Sequence, residues 1–457
     1  MLDLHRCVFV VSFILISAPQ WASAQSGGSG SSHLDQTLQS LNLAPISRPA
    51  APADDAAVTR VVLGQKLFFD KILSGNRDVA CATCHHPITN TADALSLGIG
   101  TGSTTPGVIG ENRVKGPDRE FIPRNAPEIF NRGSSHWQSA FWDSRAAVID
   151  GVIQSPAGAQ LPEGLETPLQ VQAMFPVTSR DEMRGSLADV DTGNELAAID
   201  DSDFTGIWNA LMIRLLEFEE YQQLFAEAFP DVAPEDIGFQ HAAIALAAFE
   251  AEAFTFTDSP YDAYLAGDVK ALSTKQKKGA ILFHGKANCA ACHSGTLLTD
   301  QQHHNLAVPQ FGPGKDPSTH LDLGRSLITN DGDDAFAFRT PPLRNVAQTG
   351  PWMHNGAYND LESAVRHHLN PIQSLQDYQI ELNVAQIELF PTLIVDSVIN
   401  DWMASELDIV PVDLKKSEVD QIVAFLESLS APNLQQRLGE IVPDSVPSGL
   451  LEDGLPD

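Results

Sequence analysis

The chain is short of basic residues, of cysteine and of long apolar runs. Its 28 Lys and Arg stand against 59 Asp and Glu, a formal net charge of −31, and such a field repels nucleic-acid backbones and anionic lipid surfaces. No apolar run reaches the roughly 18 residues that a membrane-spanning helix needs. We therefore expect no nucleic-acid partner and no membrane span. Solubility is the simplest explanation of the charge, and a basic protein partner stays open.

The first 24 residues have the pattern of an export signal. Arg6 precedes an apolar run from Cys7 to Ile16, and small residues follow up to Ala24. The run is about half the length that a membrane anchor needs, so we expect cleavage after Ala24 and a periplasmic location. Residues 25–56 are rich in Gly and Ser and then in Pro and Ala, a composition that predicts a flexible tether.

Cleavage of the signal leaves four cysteines, all in two Cys-x-x-Cys-His motifs. The motifs are Cys81, Cys84, His85 and Cys289, Cys292, His293. Two thiols at this spacing can bond the two vinyl groups of a haem, and the next imidazole can turn back to the iron. A redox dithiol, a zinc site and a disulfide are the alternatives for a single motif. Two copies in an exported chain favour two covalent haem c groups, with His85 and His293 as proximal iron ligands.

The two halves of the chain repeat one order of parts. A Gly-x-x-Leu-Phe segment, beginning at Gly64 and at Gly279, precedes each motif. Helical periodicity dominates, as in residues 237–252. We therefore predict a mainly α fold of two cytochrome c-like domains with one haem c each. They span residues 57–262 and 263–430, and residues 431–457 are predicted to form an extended tail.

The sixth coordination position of each iron decides what that haem can do. An open position binds small oxidants, whereas a filled one mainly transfers electrons. Behind a capping residue at Asp360, Leu361, Ala364, Val365 and His368 form one apolar helical stripe. His368 is therefore the candidate sixth ligand of the second iron, although such a histidine can also be a core residue. His367 points away from that stripe.

The first iron has no obvious sixth ligand. Residues 87–121 contain no His or Met that could return to it. His86 adjoins the proximal ligand and is badly placed, which leaves His136 as a spare candidate. We expect an open iron in this half.

An ordered set of motifs resembles the bacterial di-haem cytochrome c peroxidases and their MauG-type relatives. The resemblance runs from about Val58 to Leu429, with an insertion around residues 157–171. The matching stretches are LGQKLFFD, CATCH, PRNAPEIFN, FWDSRA, QAMFPVTSRDEM, CAACH, DLGR and TPPLRNVAQTGPWMHNGAYNDLE.

The resemblance implies roles for further residues. Trp142 corresponds to an electron relay between the haems, although a buried aromatic core residue is the alternative. Pro176 and Glu182 correspond to residues over the open haem face, with Glu182 as the candidate acid/base. His354 corresponds to a residue at a haem edge that bonds a propionate. A calcium ion between the haems is implied as well. Its ligands would be Asn125, Thr349 and Pro351.

Two features depart from the family pattern. Where the peroxidases have Met and the MauG-type enzymes Tyr, this chain has His368, and a bis-His iron usually has a lower potential than a His/Met iron. The loop histidine that blocks the first haem in many of these peroxidases is missing. We therefore expect an enzyme that needs no reductive activation.

The resemblance predicts a periplasmic peroxidase that reduces hydrogen peroxide to water. A small cytochrome c or a cupredoxin would donate the electrons, and a homodimer is possible because related proteins are often dimers. MauG-like oxidation of a protein or organic substrate is the second prediction. A non-catalytic di-haem electron carrier is the third.

Overall fold

The computed structural model describes residues 33–41 and 43–455, so the predicted export signal in residues 1–24 lies outside the described residues. The described part is mainly helical. Its first α-helices are α1 (His33–Ser40), α2 (Asp55–Phe69), α3 (Cys81–His85), α4 (Pro168–Ala173), α5 (Phe204–Leu215), α6 (Glu219–Ala228) and α7 (Phe239–Ala253). The later ones are α8 (Pro260–Leu265), α9 (Thr274–His284), α10 (Ser326–Thr329), α11 (Leu361–Leu369), α12 (Pro371–Gln376), α13 (Ile380–Asn383), α14 (Ser397–Ser405), α15 (Lys416–Glu427) and α16 (Leu434–Gly439). Within the described ranges, no helix combines the length and the apolar character needed to cross a membrane.

Two small antiparallel sheets complete the structure. β1 (Ser139–Ala140), β2 (Ala146–Ile149) and β3 (Val152–Gln154) pair in that order. β4 (His303–Asn305) pairs with β5 (Ala337–Arg339), with His303 opposite Arg339. The second sheet belongs to the C-terminal half, and its end at Arg339 reaches the site described below.

Each half is built around one pair of packed helices. In the first half α2 packs on α7, with Leu67 and Phe249 buried between them. In the second half α9 packs on α15. Gly64 lies against the Ala245 carbonyl and Gly279 against the Gln421 carbonyl, and a Cβ at either glycine would clash with that oxygen. The repeated glycines therefore let both helix pairs approach closely, which is the structural form of the repeat in the sequence.

A short connecting segment passes from the hydrophobic core of the first half to that of the second. Phe256 is buried in the core of the first half, whereas Tyr261 is buried in the core of the second. Asp262 and Arg344 form a buried ion pair of 2.5 Å at this point. The change lies close to the boundary predicted after residue 262.

The predicted flexible tether is wrong for its described part. Leu34 and Leu38 of α1 are buried in the core of the second half, and Ile46 is buried with Trp137 and Leu297. Gly/Ser and Pro/Ala composition suggested mobility, but apolar residues four apart supply one helical face that the core covers.

The tail is also more structured than the predicted extended arm. Leu434 and Leu438 of α16 are buried in the core of the first half. Further along, the carboxylate of Asp453 lies 2.7 Å from the Lys71 ammonium, and both side chains are buried. The end of the chain therefore folds back over the half that carries the first motif.

Candidate active site

One cavity in the first half brings together most of the predicted catalytic and attachment residues. Its empty space, counted together with the open mouth, is about 1470 Å³. The predicted residues in its lining are Cys81, Cys84, His85, Asn125, Trp142, Pro176 and Glu182. Residues separated by as much as a hundred positions thus share one space.

The first motif presents its groups to this cavity from α3. The Nδ1 atom of His85 lies 3.1 Å from the Thr91 carbonyl oxygen, which assigns the ring proton to Nδ1 and leaves Nε2 as a metal ligand. Burial lowers the pKa of His85, so the imidazole is neutral, as ligation requires. Burial also raises the pKa of the Cys81 thiol to about 12, unlike the low-pKa thiols of redox motifs.

Glu182 reaches the cavity from an unusual turn. It lies in a π-helical turn, Arg180–Arg184, that follows the short 3₁₀ turn Pro176–Thr178. The backbone of Glu182 is fixed, since its carbonyl accepts a hydrogen bond of 2.9 Å from the Thr101 N–H. Burial raises the pKa of the Glu182 carboxyl, and the nearby cations Arg145 and Lys315 oppose that rise.

Trp142 lies where the two halves meet. Its indole N–H donates to the Asn125 carbonyl at 3.0 Å, and its own carbonyl accepts from the N–H of Arg339 at 2.8 Å. Trp142 is half-buried and lies outside the hydrophobic cores of both halves. Its neighbour Asp143 pairs with Arg124 at 2.6 Å. A buried aromatic core residue, the alternative interpretation of Trp142, therefore describes its surroundings poorly.

The cavity wall also contains cations that the sequence alone did not indicate. Arg132, Arg145, Lys315 and Arg339 all line it. The Nη1 atom of Arg339 is buried without a hydrogen-bond partner, and desolvation lowers the pKa of this guanidinium to about 9. A haem carries two propionates, and an unpaired buried guanidinium in the wall fits such a group. No local pattern marks Lys315 and Arg339, because they reach the cavity from the other half, Lys315 from a loop and Arg339 from the end of β5.

Two buried carboxyl groups also face the cavity. Burial raises the pKa of Glu128 to about 7 and that of Glu250 to about 8. Glu128 is bonded to Arg132 at 2.8 Å, whereas one oxygen of Glu250 is buried without a partner. The cavity wall is thus rich in groups that can hold a proton near neutral pH.

The spare histidines do not reach the first site. His136 is exposed and is not part of the cavity lining. The Nδ1 atom of His86 accepts from the Ile88 N–H at 3.1 Å, and its ring packs against Phe69. Among the described residues that line the cavity, His85 is the only histidine. The methionine there, Met183, is packed in the hydrophobic core.

The second motif faces a second histidine. The rings of His293 and His368 lie 6.1 Å apart between centroids. Two metal–nitrogen bonds of about 2 Å, with about 1 Å from each nitrogen to its ring centre, span about 6 Å. The Nδ1 atoms are held by the carbonyls of Leu298 at 3.2 Å and Ala364 at 2.8 Å. Both Nε2 atoms are therefore left for one metal between them.

The adjacent His367 has a different environment. It is fully buried, with Nδ1 2.8 Å from the Tyr358 hydroxyl and Nε2 2.7 Å from the Leu306 carbonyl. Both ring nitrogens are engaged, so His367 is a structural residue. The helix behaves as predicted: it begins behind Asp360, whose carboxylate accepts from the Ser363 N–H at 2.8 Å.

The predicted calcium ligands and His354 lie near the junction of the halves. Asn125 is buried, its amide donates to the Leu95 carbonyl at 2.8 Å, and its backbone N–H donates to the His354 carbonyl at 2.8 Å. The His354 ring stacks on Phe338 with centroids 3.5 Å apart. Thr349 and Pro351 are buried in the segment before His354. The calcium site and the propionate contact stay predictions.

Comparisons of the sequence with known proteins identify its family. Residues 58–270 match the family described as di-haem cytochrome c peroxidase. Cytochrome c551 peroxidase of Pseudomonas aeruginosa is 33% identical over 307 residues, which cover 66% of this chain and 69% of that protein. Methylamine utilization protein MauG of Methylorubrum extorquens is 28% identical over 390 residues, 85% of this chain and 82% of that protein.

Solved structures agree on the fold. A MauG-like protein associated with microbial copper homeostasis is 26% identical with a TM-score of 0.58, covering 87% of this chain and 97% of that one. The diheme peroxidase BthA from Burkholderia thailandensis has a TM-score of 0.56 at 22% identity, covering 90% and 94%. Fold and site define an oxidoreductase of the di-haem peroxidase class. The chain belongs to the di-haem cytochrome c peroxidase and MauG family, and membership implies two haem c groups.

Proposed function

We propose that the protein is a periplasmic peroxidase that reduces hydrogen peroxide to water with electrons from a small redox protein. One observation carries the proposal: a single cavity is lined by the attachment residues Cys81, Cys84 and His85 and by the acid/base candidate Glu182. A haem attached there supplies an iron that binds peroxide and passes electrons to it. The named relatives, a peroxidase and a MauG protein, support oxidant chemistry of this kind.

Glu182 is proposed to move the proton that peroxide cleavage requires. Reduction of H₂O₂ to two waters takes two electrons and two protons, and one proton must move from one peroxide oxygen to the other. A carboxyl with a raised pKa can accept and return that proton near the working pH. Such a group typically contributes about 10²- to 10⁴-fold in rate.

Neighbouring residues set the state of Glu182. Burial alone would keep the carboxyl protonated, and the positive charges of Arg145 and Lys315 favour its ionised form. Lys315 itself has its pKa lowered to about 8 by burial and by Arg145 and Arg124. Burial and the two cations thus act on the carboxyl in opposite directions, and we propose that this carboxyl takes and returns the proton. Pro176, at the start of the preceding turn, narrows the same space.

The second half is proposed to deliver the electrons. His293 and His368 would together hold the second haem, and a haem held by two histidines would supply electron transfer and not a site for peroxide. Trp142, bonded to Asn125 and to the Arg339 backbone, lies between the halves and is the proposed relay. A calcium ion held by Asn125 and the carbonyl oxygens of Thr349 and Pro351 would suit hard oxygen ligands.

Peroxide turnover by the oxidised protein, with and without prior reduction, tests the proposal. With reduced cytochrome c as donor, we expect repeated turnover that starts without a lag in both preparations. Absence of any reaction with peroxide would overturn the proposal and leave the electron-carrier prediction.

A MauG-like oxidation is the second candidate, since the match to MauG covers more of this chain than the match to the peroxidase. The same assay separates the two. In that case peroxide would react with the oxidised protein, and the protein would oxidise an organic substrate while reduced cytochrome c stayed unoxidised.

A further inference from the structure

An exposed apolar surface lies at the start of α14. Val395, Val398 and Trp402 are 80%, 74% and 40% exposed, and we call these three residues the α14 patch. Val398 and Trp402 are one helical turn apart and lie on one face, and Val395 directly precedes the capping residue Asp396. Single exposed apolar residues are common, but a contiguous group on one element indicates a contact surface.

The α14 patch is held rigidly. The carboxylate of Asp396 caps the helix by accepting from the Val398 N–H at 2.8 Å. On the inner face, Met403 is buried in a core with Phe336, and the Asn305 amide donates to the Met403 carbonyl at 2.9 Å. A preformed surface loses little conformational entropy on binding.

A ring contact, a strand pairing and a side-chain cluster link the patch to the second motif. The Trp402 ring contacts the Phe336 ring, with centroids 4.7 Å apart, and Phe336 leads into β5. Strand β5 pairs with β4, where His304 stands opposite Phe338. The side chains of His304, Asp300 and Cys292 place their ligand atoms within 4.8 Å of one another. Haem attachment through the Cys292 sulfur would therefore place this cluster beside the second haem.

The segment that carries the patch has charge of one sign. Residues 369–414 contain no Lys, Arg or His. Their carboxylates are Asp377, Glu381, Glu388, Asp396, Asp401, Glu406, Asp408 and Asp413. A second copy of this chain carries the same net charge of −31 and is repelled, as is an anionic membrane. An apolar patch on an acidic segment favours a partner with an apolar centre and basic residues beside it.

We propose that the α14 patch is the docking surface for a small basic electron-carrier protein that reduces the second haem. The inference rests on the proposed function, because it assigns the place where the donor binds. Each docking event oxidises one carrier by one electron. Two carriers are therefore oxidised for each H₂O₂ that takes up two electrons and two protons to form two waters.

Steady-state kinetics with mitochondrial cytochrome c, a small basic carrier, tests the surface. The test variants are Val398→Asp and Asp401→Lys, which change the apolar patch and the acidic segment. Matched controls in the other half are Ile213→Asp, 69% exposed on α5, and Glu235→Lys, also exposed. The small reductant tetramethyl-p-phenylenediamine serves as a donor that needs no docking surface.

We expect kcat/KM for cytochrome c to fall about tenfold or more in both test variants and to stay within about twofold in both controls. Rates with the small reductant should stay unchanged in all four. For the unchanged protein, kcat/KM for cytochrome c should fall as salt rises from about 0.01 M to about 0.15 M, because screening shortens the reach of the charges. Equal values in test and control variants, or no salt dependence, would overturn the proposal.

A binding measurement separates this inference from the proposed function. Calorimetric titration with oxidised cytochrome c requires no turnover, so it reports on the surface even when neither donor supports peroxide reduction. Binding that Val398→Asp abolishes and Ile213→Asp preserves supports the docking surface. If both variants still bind cytochrome c, or if the unchanged protein does not bind it, the proposed docking surface is wrong.

Discussion

Replacing Glu182 by Gln tests the chemistry of the first site most sharply. Gln has nearly the same shape, but it cannot take up and return a proton. The backbone bonds that fix this turn, such as the one from the Thr101 N–H to the Glu182 carbonyl at 2.9 Å, are unaffected. We therefore expect a folded protein with both haems attached.

The expected loss in turnover follows from the proposed role. A general acid/base group contributes about 10²- to 10⁴-fold, equivalent to about 3 to 5 kcal/mol of barrier. Glu182→Gln should therefore lower kcat/KM for peroxide at least about a hundredfold. Asp181→Asn is the matched control, because Asp181 is the exposed neighbour and is not part of the cavity lining.

The pH dependence supplies a second readout. Burial raises the pKa of Glu182 above its ordinary value of 4.5. Because the carboxylate form must accept the proton, kcat/KM should fall as pH drops through that raised pKa. This acidic limb should lie above pH 4.5 in the unchanged protein and vanish in Glu182→Gln. Turnover within about tenfold of normal, with the limb intact, would remove Glu182 from the mechanism.

Three further changes probe the charge, the ligand and the tail. Lys315→Met removes a cation that favours ionised Glu182, so the acidic limb of the pH profile should move up by about one pH unit. Lys315→Arg should return the limb to its original position. A limb that stays in place in Lys315→Met would refute the coupling between the two residues. His368→Met should raise the potential of the second haem in a spectroelectrochemical titration, and an unchanged potential would show that His368 is no ligand. Asp453→Ala leaves buried Lys71 without its partner and should lower the unfolding free energy in urea by about 3–5 kcal/mol. Adding Lys71→Met should recover most of that loss, and two additive losses would contradict the pairing.

Local patterns predicted the helical parts of the fold well. The helix expected over residues 237–252 is α7, and its stripe of small residues lets α2 approach closely at Gly64. His368 was recognised from the spacing of the stripe behind Asp360, and the structure places its ring 6.1 Å from that of His293. These helices depend on residues within a few turns of one another, so the periodicity of apolar residues and the capping residues are enough to predict them.

Other parts depend on contacts between distant segments. Lys315 and Arg339 reach the cavity of the first half from a loop and a strand end of the second, and nothing in their neighbours along the chain marks them. The same holds for Leu34 of α1 and Asp453 of the tail, whose partners lie far away in sequence. Composition suggested a flexible tether and an extended tail, whereas tertiary burial orders the described parts of both.

Electron paramagnetic resonance of the oxidised protein tests the asymmetry between the two irons. We expect one high-spin ferric signal, from the iron held by His85, and one low-spin signal with bis-His character, from the iron between His293 and His368. Added fluoride should change the first signal alone. Two low-spin signals that do not respond to fluoride would show that both irons are closed.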